Sequence, residues 1–187
     1  HGVRMRVHSH VVVGLVVGQL TAGLKAQAGA ATERERRVRS LYEMSRDLGA
    51  ALLAEQGGEI AARFLSTEFA ARSALFVLGE RDELRLLSGG TATADAGVAR
   101  WAFDHERPAG WGTDTLPASA CLMLPLKAPM RLRGVLAIEP RAGGARPWSP
   151  EERQLLETCA ALLAISLERI HYIEVAQGST LQMESER

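Results

Sequence analysis

From Glu33 to about Gln56 the positions Val38, Leu41, Tyr42, Ser45, Leu48 and Leu52 recur every three or four residues between arginines and glutamates. That is the spacing of one face of an amphipathic α-helix. Gly57 and Gly58 interrupt it, and helical spacing resumes from Glu59 to Phe69 through Ile60, Phe64 and Leu65, so a second helix is expected after the glycines. Ser73–Leu78 is an unbroken apolar run that ends in Gly79 and a charged stretch. Alternation resumes at Leu84, Leu86 and Ser88, which predicts two antiparallel strands joined by a turn. Gly97–Arg107 places Val98, Trp101, Ala102 and His105 on one helical face, and Pro108 stops it. Cys121–Leu126 and Gly134–Ile138 are two further strands, with KAPMRLR as their hairpin connection and Pro125 marking a bulge or an edge. Ser149, Pro150 and Glu152 make a capping box with proline in the first turn. From there a stripe of Leu155, Leu156, Cys159, Leu162, Leu163, Ser166, Ile170 and Ile173 predicts a helix of about twenty-five residues, long enough to need a second helix or subunit beside it. The tail through Leu181 and Met183 can prolong it past Gly178. The order helix, helix, strand, strand, helix, strand, strand, long helix predicts an α+β fold, an antiparallel sheet with the N- and C-terminal helices packed on one side.

Two segments precede that pattern. His1–His10 has scattered histidines and arginines without periodicity and reads as an appended remnant or a disordered stretch. Val11–Leu20, VVVGLVVGQL, is apolar throughout but is about half the length of a membrane-crossing helix. Lys25 and the cluster Arg34, Arg36, Arg37, Arg39 follow it, the asymmetry found on the cytoplasmic side of a membrane helix. The end of a last transmembrane helix over residues 11–32, and a buried strand or core helix, are both open on this pattern.

Composition narrows the chemistry. The chain has 22 lysines and arginines against 22 aspartates and glutamates, so no overall field draws it to nucleic acid. The arginine cluster is interleaved with Glu33 and Glu35 and reads as a solvated helix face. Cys121 and Cys159 have no CxxC partner and no neighbouring histidine, which predicts two buried thiols and no metal site. Phosphate-cradling, dinucleotide, HExxH and GxSxG motifs are absent from the sequence. His105 falls near a helix end, where an imidazole bonds a backbone carbonyl, and His171 falls on the long helix.

The most unusual stretch is Pro108–Pro117, PAGWGTDTLP, where backbone N–H groups and short polar side chains can converge. It reads first as a loop that satisfies its own backbone through Asp114 and the threonines. The alternative is a small-ligand site using Trp101, Trp111, Thr113, Asp114, Thr115 and Met123. Trp101, Phe103 and Met123 are expected mainly in the core.

The succession LYEMSRDLGAAL, VARWAFDHERPAGWGTDTLP, LPLKAPMRLRGVLAIEP and SPEERQLLETCAALLAISLERIHYIEVAQ resembles the GAF-like domain of bacterial KdpD-type sensor histidine kinases. GTDTLP with the following LPLK is its most specific part. The resemblance implies a GAF-like sensory domain over residues 33–170, with 171–187 as a linker helix toward a kinase dimerisation helix and VVVGLVVGQL as the end of a fourth transmembrane helix. It also implies a place on the cytoplasmic side of the inner membrane, in a two-component system that controls potassium uptake. The expected role is a relay from the membrane to the kinase core, with a homodimer formed through the terminal helices and a response regulator met through the kinase. No H[DE]xxP motif occurs, so catalysis is not expected of this chain, and ATP and magnesium belong to a kinase domain. Two other readings stay open: a GAF module binding a nucleotide or ion, and a free-standing GAF enzyme of the sulfoxide-reductase type. The second needs clustered cysteines of lowered pKa.

Overall fold

The computed structural model describes residues 2–87, 90–141 and 146–186, with side chains from Val11 onward. The chain divides into two units, His1–Ser40 and Leu41–Arg187. Helix α1 runs over Gly2–Ala50. Its backbone is therefore helical from Gly2 through the stretch set apart above as a remnant, while His1 lies outside the described residues. Val11–Leu20 is helical as well, which removes the buried-strand reading, and its side chains are exposed. By length and composition Val11–Ala50 is apolar enough to cross a membrane. Further along, Glu33 pairs with Arg36 and Arg37, and Glu35 with Arg39, one turn apart, which is the solvated helix face read from the sequence.

In the second unit the helical break falls at Ala51–Leu53, six residues before the expected glycines. Leu53 is extended, and the Gln56 side chain accepts from the backbone N–H groups of Leu52 (2.8 Å) and Leu53 (3.3 Å), capping α2 (Ala54–Phe69). Gly57 and Gly58 sit inside α2 for packing: an added Cβ would come within 3.3 Å of Leu163 Cδ1 at one and of Leu75 Cδ2 at the other. They let α2 lie close on both the sheet and the last helix. The row of α1 that turns inward overlaps the expected one only at Leu41 and Leu48. Leu41, Met44 and Leu48 face the core, whereas Val38 and Tyr42 are exposed.

Five antiparallel strands follow: β1 (Arg72–Leu78), β2 (Leu84–Leu86), β3 (Ala109–Gly110), β4 (Leu122–Lys127) and β5 (Leu132–Glu139), in the order β2-β1-β5-β4-β3. Ser88, expected to extend the second strand, lies outside the described residues. The two-residue β3 carried no alternation to announce it. Pro125 coincides with a register shift in β4, and it lies past the two residues, Leu122 and Met123, that β3 covers, so it stands at a bulge and on a locally open edge, as both readings expected.

Strand alternation gives the sheet two unlike faces. Leu75, Val77, Leu122, Leu124, Leu126, Leu136 and Ile138 face the end of α1, α2 and α4 (Pro150–Ser185). Ala74, Phe76, Cys121, Met123, Val135 and Ala137 face α3 (Ala96–His105), which Asp95 caps by accepting from Gly97 N at 2.8 Å. Both terminal helices thus lie on one face, as the pattern predicts. Helix α4 starts with the expected capping box, Ser149 Oγ accepting from Glu152 N (3.2 Å) and Glu152 accepting from Ser149 N (2.8 Å). It runs for 36 residues, and from His171 to Glu186 every residue is exposed.

Candidate functional site

The six side chains weighed as a ligand site do not form one pocket. Met123 is fully buried beneath α3, and Trp101 packs on the same cluster, with its ring stacked on His105 at 4.0 Å. His105 Nδ1 donates to the Trp101 carbonyl at 2.9 Å, the backbone contact expected of it. Trp111 turns elsewhere, edge-on to Trp148 at 4.8 Å beside the start of α4. Thr113 spends its hydroxyl on the loop itself, bonded to the carbonyls of Gly110 and Thr115 at 2.8 Å each. Gly110 N donates to Thr115 O and Trp111 N to Cys121 O, while Asp114 is exposed. The loop is thus held by its own backbone and threonine.

Behind α3, Ala99 and Ala102 are wholly buried against Ala74, Ala109 and Ala137. Alanine on alanine brings the helix close onto the sheet, beside the larger buried side chains of Phe76, Met123 and Val135. A cleft of about 300 Å3 lies on the opposite face between α2 and β1, lined by Glu55, Gly58, Glu59, Arg63, Ser73 and Leu75 among others, and none of the six expected residues reaches it.

The polar features that stand out are on α4, and the sequence reading missed most of them. Ser166 Oγ donates to the Leu48 carbonyl at 2.9 Å, and the Arg169 guanidinium donates to the same carbonyl at 3.0 Å and to that of Ala51. The last carbonyls of a helix have no partner within it. Here α4 supplies donors for the end of α1, with a cation at the negative pole of the helix dipole. Between these two residues in sequence, Glu168 accepts from Met130 N at 3.1 Å and from the Arg133 guanidinium at 3.2 Å. The side chains of Arg133 and Glu168 are only 6% and 10% exposed, and the guanidinium lies 5.3 Å from the ring centre of Tyr172. Ser166 belonged to the stripe read from the sequence, but nothing in it distinguished Arg133, Glu168 or Arg169 from surface residues.

Cys121 and Cys159 are free, buried, and on opposite faces of the sheet, so they cannot meet as a disulfide. Burial pushes each thiol up to about 12, aided at Cys121 by the charge of Glu139 and opposed by that of Arg72. A nucleophilic cysteine needs the reverse. Among the described residues no three histidine, cysteine, aspartate or glutamate side chains gather as metal ligands.

A two-faced antiparallel sheet, with its first and last helices joined on one side, defines an α+β domain. The model of the GAF domain family matches residues 54–169, and the chain belongs to that family as a KdpD-type GAF domain. It is 38% identical over 180 residues to Sensor protein KdpD of Escherichia coli, an alignment covering 95% of this chain and 20% of the relative. Sensor protein KdpD of Clostridium acetobutylicum is 23% identical over 190 residues, with 95% and 21% covered. The chain thus spans about a fifth of the length of these relatives. Among solved structures, the native GAF domain of the potassium sensor histidine kinase KdpD from Escherichia coli superposes with a TM-score of 0.67 at 33% identity, covering 75% of this chain and 99% of that one. The GAF domain of a phosphoenolpyruvate-protein phosphotransferase from Coxiella burnetii, at 18% identity and a TM-score of 0.59, shares the fold.

Two outcomes follow from this packing. Ala102→Leu is expected to destabilise the domain by about 1–3 kcal/mol in urea denaturation, because the space beneath α3 is already filled; an unchanged midpoint would mean that a cavity is there. Neither thiol should react with a disulfide reagent at pH 8 until the chain unfolds, and rapid labelling of either one would restore the sulfoxide-reductase reading. The pH dependence has a definite sign. Below the ordinary value of 9 both thiols stay protonated in the folded and unfolded chain and contribute nothing, whereas from there toward about 12 only the unfolded chain loses protons, so stability falls as pH rises.

Proposed function

We propose that this chain is the signalling domain of a membrane sensor histidine kinase of a potassium-responsive two-component system, on the cytoplasmic side of the inner membrane, passing a motion from the membrane to the kinase core. The observation that carries the proposal is the clamp of Ser166 and Arg169 on the terminal carbonyls of α1. It joins the helix that bears the apolar segment directly to the helix that leaves the domain. The membrane assignment draws on that segment and on the lysine and arginines after it. The kinase and the potassium signal draw on what the similar proteins are called. In this reading ATP and magnesium serve the kinase domain, a response regulator is met through that domain, nucleic acid plays no part, and the GAF domain works as a scaffold with no ligand of its own. The alanine-packed face supports that last point.

The same reading makes the assembly a homodimer paired through its terminal helices. Val38 and Tyr42 on α1, and Tyr172, Val175, Leu181 and Met183 on α4, are apolar or aromatic side chains that the chain itself leaves exposed.

The relay is tested by exchanging this chain for the matching segment of the Escherichia coli sensor and following autophosphorylation in membrane vesicles over a potassium series. Arg169→Ala, which releases the end of α1, is expected to reduce the potassium response by about fivefold or more, the scale of an ordinary coupling energy. A full response from a folded Arg169→Ala hybrid would overturn the relay. For the dimer, light scattering on the detergent-solubilised chain should give twice the 20.2 kDa of one copy, and a single-copy protein mass at high concentration would exclude it.

A further inference from the structure

Most of what holds α4 to the domain is apolar. Leu156, Cys159, Leu163 and Leu167 are buried on the leucine face of the sheet, and Ile170 is buried beyond them. Such contacts have no preferred direction, so by themselves they tolerate a small rotation or slide of a helix. Fixed partners appear in one turn, at Ser166, Glu168 and Arg169. Two of the three hold α1, and Glu168 alone of them reaches the sheet side, binding Met130 N at 3.1 Å and the Arg133 guanidinium at 3.2 Å. Met130 lies in the turn that joins β4 to β5, and Arg133 stands just after it, at the start of β5.

The pair is unusual in its setting. Both side chains are nine-tenths or more buried, and Arg133 Nε has no hydrogen-bond partner among the described residues. Removing two charges from water offsets much of their attraction, and an apolar pair of similar volume often stabilises as well or better. A buried, incompletely satisfied ion pair is therefore a poor source of stability and a good source of direction: it allows one setting of the helix against the hairpin. Its position suits that role. Glu168 sits two residues before Ile170, the last buried residue of α4, and Tyr172, one turn on, lies against the same guanidinium.

We propose that Glu168 is a positioning residue, a latch through which Arg133 and the β4–β5 hairpin set the rotation at which α4 leaves the domain. The proposal rests on the relay reading for its use, though the latch itself is a property of the folded chain. It makes hairpin and helix move together while Glu168 is engaged, and frees the last buried turn of α4 when it is not.

The test is amide hydrogen exchange on the full chain in detergent, comparing native protein with Glu168→Gln, Arg133→Met and their combination. Each single variant should exchange about tenfold or more faster over residues 166–172, while β1 and the part of β5 beyond Arg133 keep native protection, as expected of a local opening. The double variant should be no faster than either single one, because both remove the same contact. Native protection at residues 166–172 in a folded Glu168→Gln chain overturns the latch, and so does an equal rise in β1 and β5, which would make the pair a general stabiliser. Should the single variants fail to fold, the apolar pair Arg133→Met with Glu168→Leu carries the test: a melting temperature at or above native with fast exchange in 166–172 supports the latch, and native exchange there overturns it. None of these readouts involves phosphorylation, so a failed hybrid kinase and a failed latch are separate results.

Discussion

At the end of α1 the Leu48 carbonyl accepts from Ala51 N at 3.3 Å, and Ser166 and Arg169 of α4 hold this carbonyl and that of Ala51 from outside the helix. The rest of the unit depends on this junction. A helix terminus left buried without partners is costly, and here the partners come from a helix more than a hundred residues away in sequence. The two helices are thereby fastened at one point, with the leucine face of the sheet beneath them and α2 alongside. Gly57 and Gly58 allow α2 to approach closely enough for Leu163, Leu75 and Leu48 to meet across it. Without the glycines α2 would stand off, and Leu48, whose carbonyl is the hub of the junction, would lose its packing.

The sheet divides the work between its faces. Leucine and isoleucine on one face provide enough area for three helices, among them the two terminal ones that the Ser166 and Arg169 contacts join. Alanine on the other face brings α3 close and leaves little volume behind it. On this face the PAGWGTDTLP loop bonds to itself. The same economy explains the thiols: each fills a small apolar position, Cys121 under α3 and Cys159 under α4, and desolvation keeps both protonated.

What the sequence made legible follows the range of the forces involved. The short apolar runs SALFVL and GVLAI are local signals, and the strands fall where those runs place them. Ser149, Pro150 and Glu152 act within one turn, so the start of α4 could be read residue by residue. The break between α1 and α2 was misplaced because glycine is an ordinary sign of interruption, whereas here the interrupting element is Gln56 capping Leu52 and Leu53, and the glycines serve tertiary packing. The inward row of α1 was misassigned for a similar reason: Tyr42 and Val38 fit the helical period as well as Met44 does, and only the partner decides which face is buried. Arg133, Glu168 and Arg169 were the least visible. Their contacts span 35 residues for the ion pair and 118 or 121 for the clamp, and a lone charged residue in a sequence looks like surface.

The length of α4 carries the argument past the domain. After Ile170 sixteen residues remain helical or cap the helix, and all are exposed, from His171 to Glu186. An isolated helix of that length is marginal in water, since too few backbone bonds offset its nucleation cost. It contains Gly178, which weakens it further by about 1 kcal/mol relative to alanine. Yet it carries Tyr172, Ile173, Val175, Leu181 and Met183, too many apolar side chains for a stretch meant to remain in solvent. A helix that is weak alone and apolar in part is stable when a second helix covers it, and in the proposed relay only a covered helix is stiff enough to carry a rotation set at Glu168 and Arg169. Pairing is thus a condition of that proposal, since an unpaired tail would absorb the motion by fraying.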